Sequence, residues 1–66
     1  DDVYEIWVER DGALEPSSLF VPRRDGSAEA AVPGSLDGAD AVLVTREPRG
    51  GSLKPTSRPL LRADLN

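Results

Sequence analysis

Turn signals divide this chain into runs too short for helices of ordinary length. Asp11-Gly12, Asp25-Gly26, Pro33-Gly34 and the stretch from Pro48 to Gly51 fall between short apolar segments, and 6 glycines and 6 prolines are spread over 66 residues. Glycine and proline are the strongest local punctuators of backbone structure, and short runs separated at such intervals predict an all-β fold. The most decisive segment is Ala39 to Ser52. Ala41 to Thr45 is rich in β-branched residues, which suit a packed, pleated surface. Pro48 has no N–H to give a ladder, so this strand is expected to end near Glu47. Gly50-Gly51-Ser52 then supplies a loop.

The run Val3-Tyr4-Glu5-Ile6-Trp7-Val8-Glu9 carries the clearest strand pattern. A two-residue period sets Tyr4, Ile6 and Val8 on one face and Glu5, Trp7 and Glu9 on the other. Trp7 departs from a simple inside/outside rule, because it puts a large apolar ring between two glutamates. Either both faces are partly covered, as in a sandwich, or Trp7 is a surface anchor for a partner; burial is the usual fate of such a ring. Asp11-Gly12 is a strong hairpin signal. Ala13-Leu14-Glu15 reads as a brief strand interrupted by Pro16-Ser17-Ser18, and Leu19-Phe20-Val21 as a second apolar run closed by Pro22. Ser27 to Val32 reads as a short strand; Ala28 to Ala31 has good helix propensity, but an isolated helix of that length is unstable. Leu36 is the expected core contact of the connection from Pro33 to Gly38. Leu53 to Pro59, with two prolines, reads as an extended loop, and Leu60-Leu61-Arg62 as a last short strand.

A chain of this size buries only about 60% of the surface its unfolded form exposes. Small folds with such marginal cores usually lean on disulfides, metals or association. There is no Cys and no His, which removes disulfides and Cys/His zinc sites, so support from a partner chain or further sequence is expected. Residues 1–66 read as a single domain or part of one. The net charge of −4, from 12 acids and 8 bases, argues against a nucleic-acid module, which shows a basic footprint. Arg23-Arg24, beside Asp25, reads as a solvated turn. No apolar run approaches the roughly 18–20 residues of a membrane helix, and the N-terminus lacks a signal-peptide pattern, so the chain itself reads as soluble.

Residues that could carry chemistry are few. Without His or Cys, a nucleophilic Ser or Thr has only Lys54 as a base, and Lys54 lies in the proline-bounded loop. Asp37 and Asp40 are close in sequence, yet the rest of a calcium-loop ligand set is missing. Gly50-Gly51-Ser52 lacks the Gly-Lys-Ser/Thr ending of a phosphate loop. No catalytic, cofactor or metal site is therefore expected, and the chain does not read as an enzyme. Arg46, Glu47 and Arg49 gather at the strand exit, where Arg46 and Arg49 could face a partner or form local ion pairs of little energetic weight.

Two segments together bring a family into view. Tyr4-Glu5-Ile6-Trp7-Val8, then Asp11-Gly12 and Ser18-Leu19-Phe20, resemble the Tyr-x-x-Trp, Asp-Gly, Gly-Leu-Phe progression of the anti-sigma-K factor C-terminal domain, with Ser18 where that family commonly has glycine. Gly38-Ala39-Asp40-Ala41-Val42, Val44-Thr45, Glu47-Pro48, Gly50-Gly51-Ser52 and Pro55-Thr56 follow in the same order and spacing. Arg46 and Arg49 replace smaller or apolar residues. The residues carrying the resemblance, in mainly structural roles, are Tyr4, Trp7, Gly12, Phe20, Asp40, Thr45, Glu47, Pro48, Gly50 and Gly51.

The resemblance implies more than the side chains do. It implies the C-terminal portion of an antiparallel β-sandwich on the outer, extracytoplasmic side of a bacterial membrane, in a single-span protein. Its cytoplasmic region, absent from this chain, would hold an extracytoplasmic-function sigma factor inactive until regulated proteolysis releases it. The implied partners are that sigma factor, a regulatory protease, and either further strands or a second chain to cover sheet edges such as Val3–Glu9, which are hazards when unpaired. The contrasting reading is a small β module that recognises a peptide or carbohydrate through Trp7 and Tyr4.

Overall fold

A computed structural model describes residues 2–25 and 36–65. The described part is all-β: β1 (Val3–Arg10), β2 (Ala13–Phe20), β3 (Ala41–Glu47) and β4 (Leu61–Asp64). They form one antiparallel sheet in the order β2-β1-β3-β4. The expected all-β, antiparallel class is what the chain adopts. The proposed strand over 27–32 lies outside the described residues.

Asp11 and Gly12 both take positive φ, 51° and 80°. That is the requirement of a tight hairpin whose twist matches its flanking strands, and it places β2 beside β1. The Asp40 side chain holds this turn from outside, accepting a hydrogen bond from the Asp11 amide at 3.2 Å.

The sequence reading placed β1 at an exposed edge. It lies inside the sheet instead, paired along one side with β2 and along the other with β3. The edges are β2 and β4. Pro16 was expected to interrupt a strand, yet β2 runs through it. A prolyl nitrogen is tolerated on an edge strand or at a bulge, and Pro16 has both: the register with β1 slips between Ile6 and Trp7, so Ile6 faces Ser18 while Trp7 faces Pro16. Leu36, the expected core contact, is 40% exposed. It opens a turn in which the Ala39 amide bonds the Leu36 carbonyl at 2.9 Å, and Ala39 takes the buried position.

Register assigns the side chains to two faces. Opposite residues share a face, so Glu5, Trp7 and Glu9 of β1 lie with Thr45, Leu43 and Ala41 of β3, and Glu47 lies with Val3. Tyr4, Ile6 and Val8 share the other face with Arg46, Val44 and Val42. The core cluster is on the first face: Trp7, Ala41 and Leu43, with Leu14 packed against it. Burying a side chain the size of Leu43 contributes about 2 kcal/mol. Trp7 is 0% exposed, which removes it as a surface anchor for a partner.

Candidate functional site

The buried polar network of the chain lies on the Trp7 face. The Trp7 indole N–H donates to the Thr45 hydroxyl at 2.7 Å, 38 residues away in sequence. Thr45 in turn donates to the Glu47 carboxylate two positions along the same strand face. The Thr56 amide reaches both oxygens of Glu47 at 3.1 Å, and the Thr56 hydroxyl donates to one of them. Glu47 is 1% exposed. A buried carboxylate is costly unless fully hydrogen-bonded, and this one is: no described buried side-chain polar atom lacks a partner. Burial pushes the Glu47 pKa upward. The hydroxyls of Thr45 and Thr56, the Thr56 amide and Ser52 outweigh that, lowering it from 4.5 to about 2.

The segment after β3 is strapped across this face. Pro48 ends the strand and begins a turn closed by the Gly51 amide on the Pro48 carbonyl at 2.9 Å. Gly50 holds a φ of 93° there, as the third residue of a type II turn demands. Gly51, at a φ of 79°, packs so closely that a Cβ would stand 2.8 Å from Leu19 Cδ2 and 3.2 Å from Glu5 Oε1. The Ser52 amide then donates to Glu5 at 2.8 Å. Two inward-facing acids, Glu5 and Glu47, therefore fasten the strap at two separate points.

Beyond Thr56, Ser57 takes over the role of a strand. Continuing the β3–β4 register by two residues sets Pro59, which has no N–H, opposite Arg46. The Ser57 hydroxyl instead accepts from the Arg46 amide at 3.2 Å and donates to its carbonyl at 2.6 Å. β4 follows, held where Arg62 reaches over the small, fully buried Ala41 to Glu9 at 2.8 Å.

Thr45, Glu47, Pro48, Gly50, Gly51 and Trp7 are thus brought into one assembly. Gly12 and Asp40 act together at the β1–β2 turn. Tyr4 and Phe20 stand apart on the opposite face, ring centres 5.5 Å apart, with the Arg46 guanidinium 6.0 Å above Tyr4. Arg49 lines an open depression of about 410 Å³ with Asp2, Val3 and Val21. Arg46 and Arg49 are both exposed, and the ion pair considered for this exit does not involve Glu47, whose oxygens are taken by hydroxyls and an amide. Glu5 and Thr56 were missed as site residues. Their only sequence signal is an acid in phase with Trp7 and a Pro-Thr pair after the glycines.

The arrangement suits holding a fold better than turning over a substrate. A carboxylate so strongly acidified and surrounded by donors is a poor proton acceptor near neutrality. Among the described residues, no three acidic side chains come together as a metal site.

Comparison with known proteins fits this picture. Residues 1–60 match the family described as anti-sigma-K factor rskA, C-terminal. The chain belongs to that family. It is also 36% identical over 58 residues to a Streptomyces griseus protein described as an uncharacterized protein in the phr 5′ region; the aligned part is 88% of this chain and 24% of that relative. The chain thus spans about a quarter of that relative's length. No solved structure matches it. In this anti-sigma-K factor C-terminal domain, the strap joins Glu47-Pro48, Gly50-Gly51-Ser52 and Pro55-Thr56 in one network. β4 begins at Leu61, just past the family match.

Proposed function

We propose that this chain is the extracytoplasmic regulatory domain of a membrane-anchored anti-sigma factor. In this reading it belongs to the C-terminal portion of a β-sandwich. Its parent restrains an extracytoplasmic-function sigma factor through a cytoplasmic region, and regulated proteolysis of the outer domain begins release. The observation that carries the reading is the Trp7–Thr45–Glu47–Thr56 network. That network ties the strap to the buried face of the sheet, which supports a domain whose integrity is the signal. On the Tyr4 face Ile6 and Val8 are buried while Val42 and Val44 are half-buried; in this reading further strands of a sandwich complete the cover of the half-buried part. No described helix is long and apolar enough to cross a membrane, so anchoring falls to other parts of the parent. The peptide- or carbohydrate-binding reading loses its main support with the burial of Trp7.

The test uses the full-length parent in cells carrying a reporter for its sigma factor. A Leu53→Cys variant, at a position 88% exposed, should be labelled by a membrane-impermeant maleimide in intact cells more strongly than the unsubstituted parent. Glu47→Gln in the same protein should raise reporter output as the outer domain is lost. Absence of labelling in intact cells, with labelling after lysis, would reject the location. Unchanged reporter output despite loss of the domain would reject the regulatory role.

A further inference from the structure

We infer that the edge of β4 on which no other described strand lies pairs with β4 of a second copy of this chain, across a two-fold axis at Ala63, to join the eight described strands of the two copies in one continuous sheet. The two edges of the sheet differ sharply. β2 carries Pro16 and a register slip, both of which protect an edge from further pairing. β4 has neither.

The alternation of β4 is fixed by its contacts. The Leu65 amide bonds the Asp40 carbonyl at 2.8 Å, so Leu65, and with it Ala63 and Leu61, direct their backbone groups toward β3. Arg62 and Asp64 direct theirs outward, where no described strand of the sheet lies. An antiparallel partner must match these outward groups. Centring a two-fold axis on Ala63 sets Arg62 opposite Asp64 of the second copy, and Asp64 opposite its Arg62. Each pair exchanges both backbone hydrogen bonds, making four in all. Within each copy Arg62 already pairs with Asp64 at 2.8 Å; the same register sets the two pairs against each other with opposite charges face to face twice, which favours a cross-strand pair.

The remaining positions agree. Ala63 meets its own copy at a non-hydrogen-bonded site, where strands approach most closely, about 4.5 Å between Cα atoms, and a methyl group fits there. Leu61 meets Leu65 of the second copy on the Tyr4 face. These leucines are 60% and 44% exposed, and the pairing would cover both. A shift by one residue would put Arg62 against Ala63 and lose both charge pairs. Sequence and edge geometry therefore select one register.

The test is sedimentation equilibrium of the whole chain, joined to cysteine crosslinking. The wild type should show a concentration-dependent dimer, and Asp64→Arg, which sets like charges opposite each other twice, should raise its dissociation constant about tenfold. Ala63→Cys should form a disulfide-linked dimer in air, because facing Cα atoms would lie within the 4.4–6.8 Å that a disulfide spans. Leu61→Cys, offset from its own copy in this register, should crosslink far more slowly. A wild type that sediments as a monomer throughout, or Ala63→Cys crosslinking no faster than Leu61→Cys, would overturn the inference. An unaltered dimer in Asp64→Arg would overturn it equally, by assigning association to another surface.

Discussion

Thr56 gives Glu47 both its amide and its hydroxyl, so one residue in an irregular loop supplies two donors to a buried acid on the neighbouring strand. The loop and the strand hold each other: Glu47 stays ionised because the loop is in place, and the loop stays in place because Glu47 is ionised.

Replacing Glu47 by Gln should show the strength of that reciprocity. The amide keeps the shape but has only one oxygen and brings two N–H groups toward the donors of Thr45 and Thr56. Hydrogen bonds to charged groups contribute about 1.5–3 kcal/mol each, and misfacing donors add a penalty. Urea unfolding followed by far-UV circular dichroism should show a loss of about 2–3 kcal/mol. A midpoint within error of wild type would mean that the network does not stabilise the fold.

The same carboxylate sets an acid limit. Its pKa in the folded chain is about 2, against 4.5 when free. A folded-state value below the unfolded one means that the contribution is fully present above about pH 4.5 and is lost as pH falls toward 2. Thermal melts of wild type and Glu47→Gln from pH 6 to pH 2 should therefore converge across that interval. Parallel curves would show that Glu47 is not coupled to folding.

Gly50 and Gly51 should differ in their tolerance of alanine. Both hold positive φ, which costs an L-residue about 1–2 kcal/mol. At Gly50 a Cβ meets nothing within 4 Å, whereas at Gly51 it overlaps Leu19. Gly51→Ala should thus lower the urea midpoint more than Gly50→Ala. A second variant, Gly51→Ala with Leu19→Ala, should show a smaller cost of the glycine change than in the Leu19 background, which tests whether the overlap is the cause.

Trp7→Phe removes the indole N–H and leaves a smaller ring in a fully buried place. The combined loss of a hydrogen bond and of packing should reach about 2–3 kcal/mol. In Thr45→Val, where the indole has already lost its acceptor, the further cost of Trp7→Phe should fall. Equal costs in the two backgrounds would show that the bond at 2.7 Å carries no coupling.

What could be read from the sequence was local. The alternation from Val3 to Glu9, the Asp11-Gly12 hairpin and the stop at Pro48 each follow from residues within a few positions, and each stands in the structure. What could not be read was long-range. Whether β1 is an edge depends on which strand takes its second side, and that strand, β3, begins 31 residues after β1 ends. Pro16 looks like a break until β2 is known to be an edge with a slipped register. Glu5 and Glu47 look like surface acids because their partners, Ser52 and Thr56, lie 47 and 9 residues away. Leu36 is apolar enough for a core, yet the turn gives the buried place to Ala39. Nothing local in the sequence joins Trp7, Thr45, Glu47 and Thr56, and only the fold shows that they form one run of hydrogen bonds.

The double fastening of the strap separates two events that are easily confused. Leu53, at the exposed tip, lies between the anchor at Ser52 and the anchor at Thr56. A protease that severs the chain after Leu53 leaves each new end tied down by its own acid, so the wound stays closed. Cleavage there would be silent until something else, such as force, acid or a second cut, lets go of one side. A nicked chain that elutes as one species in native buffer and as two fragments in urea would display that delay.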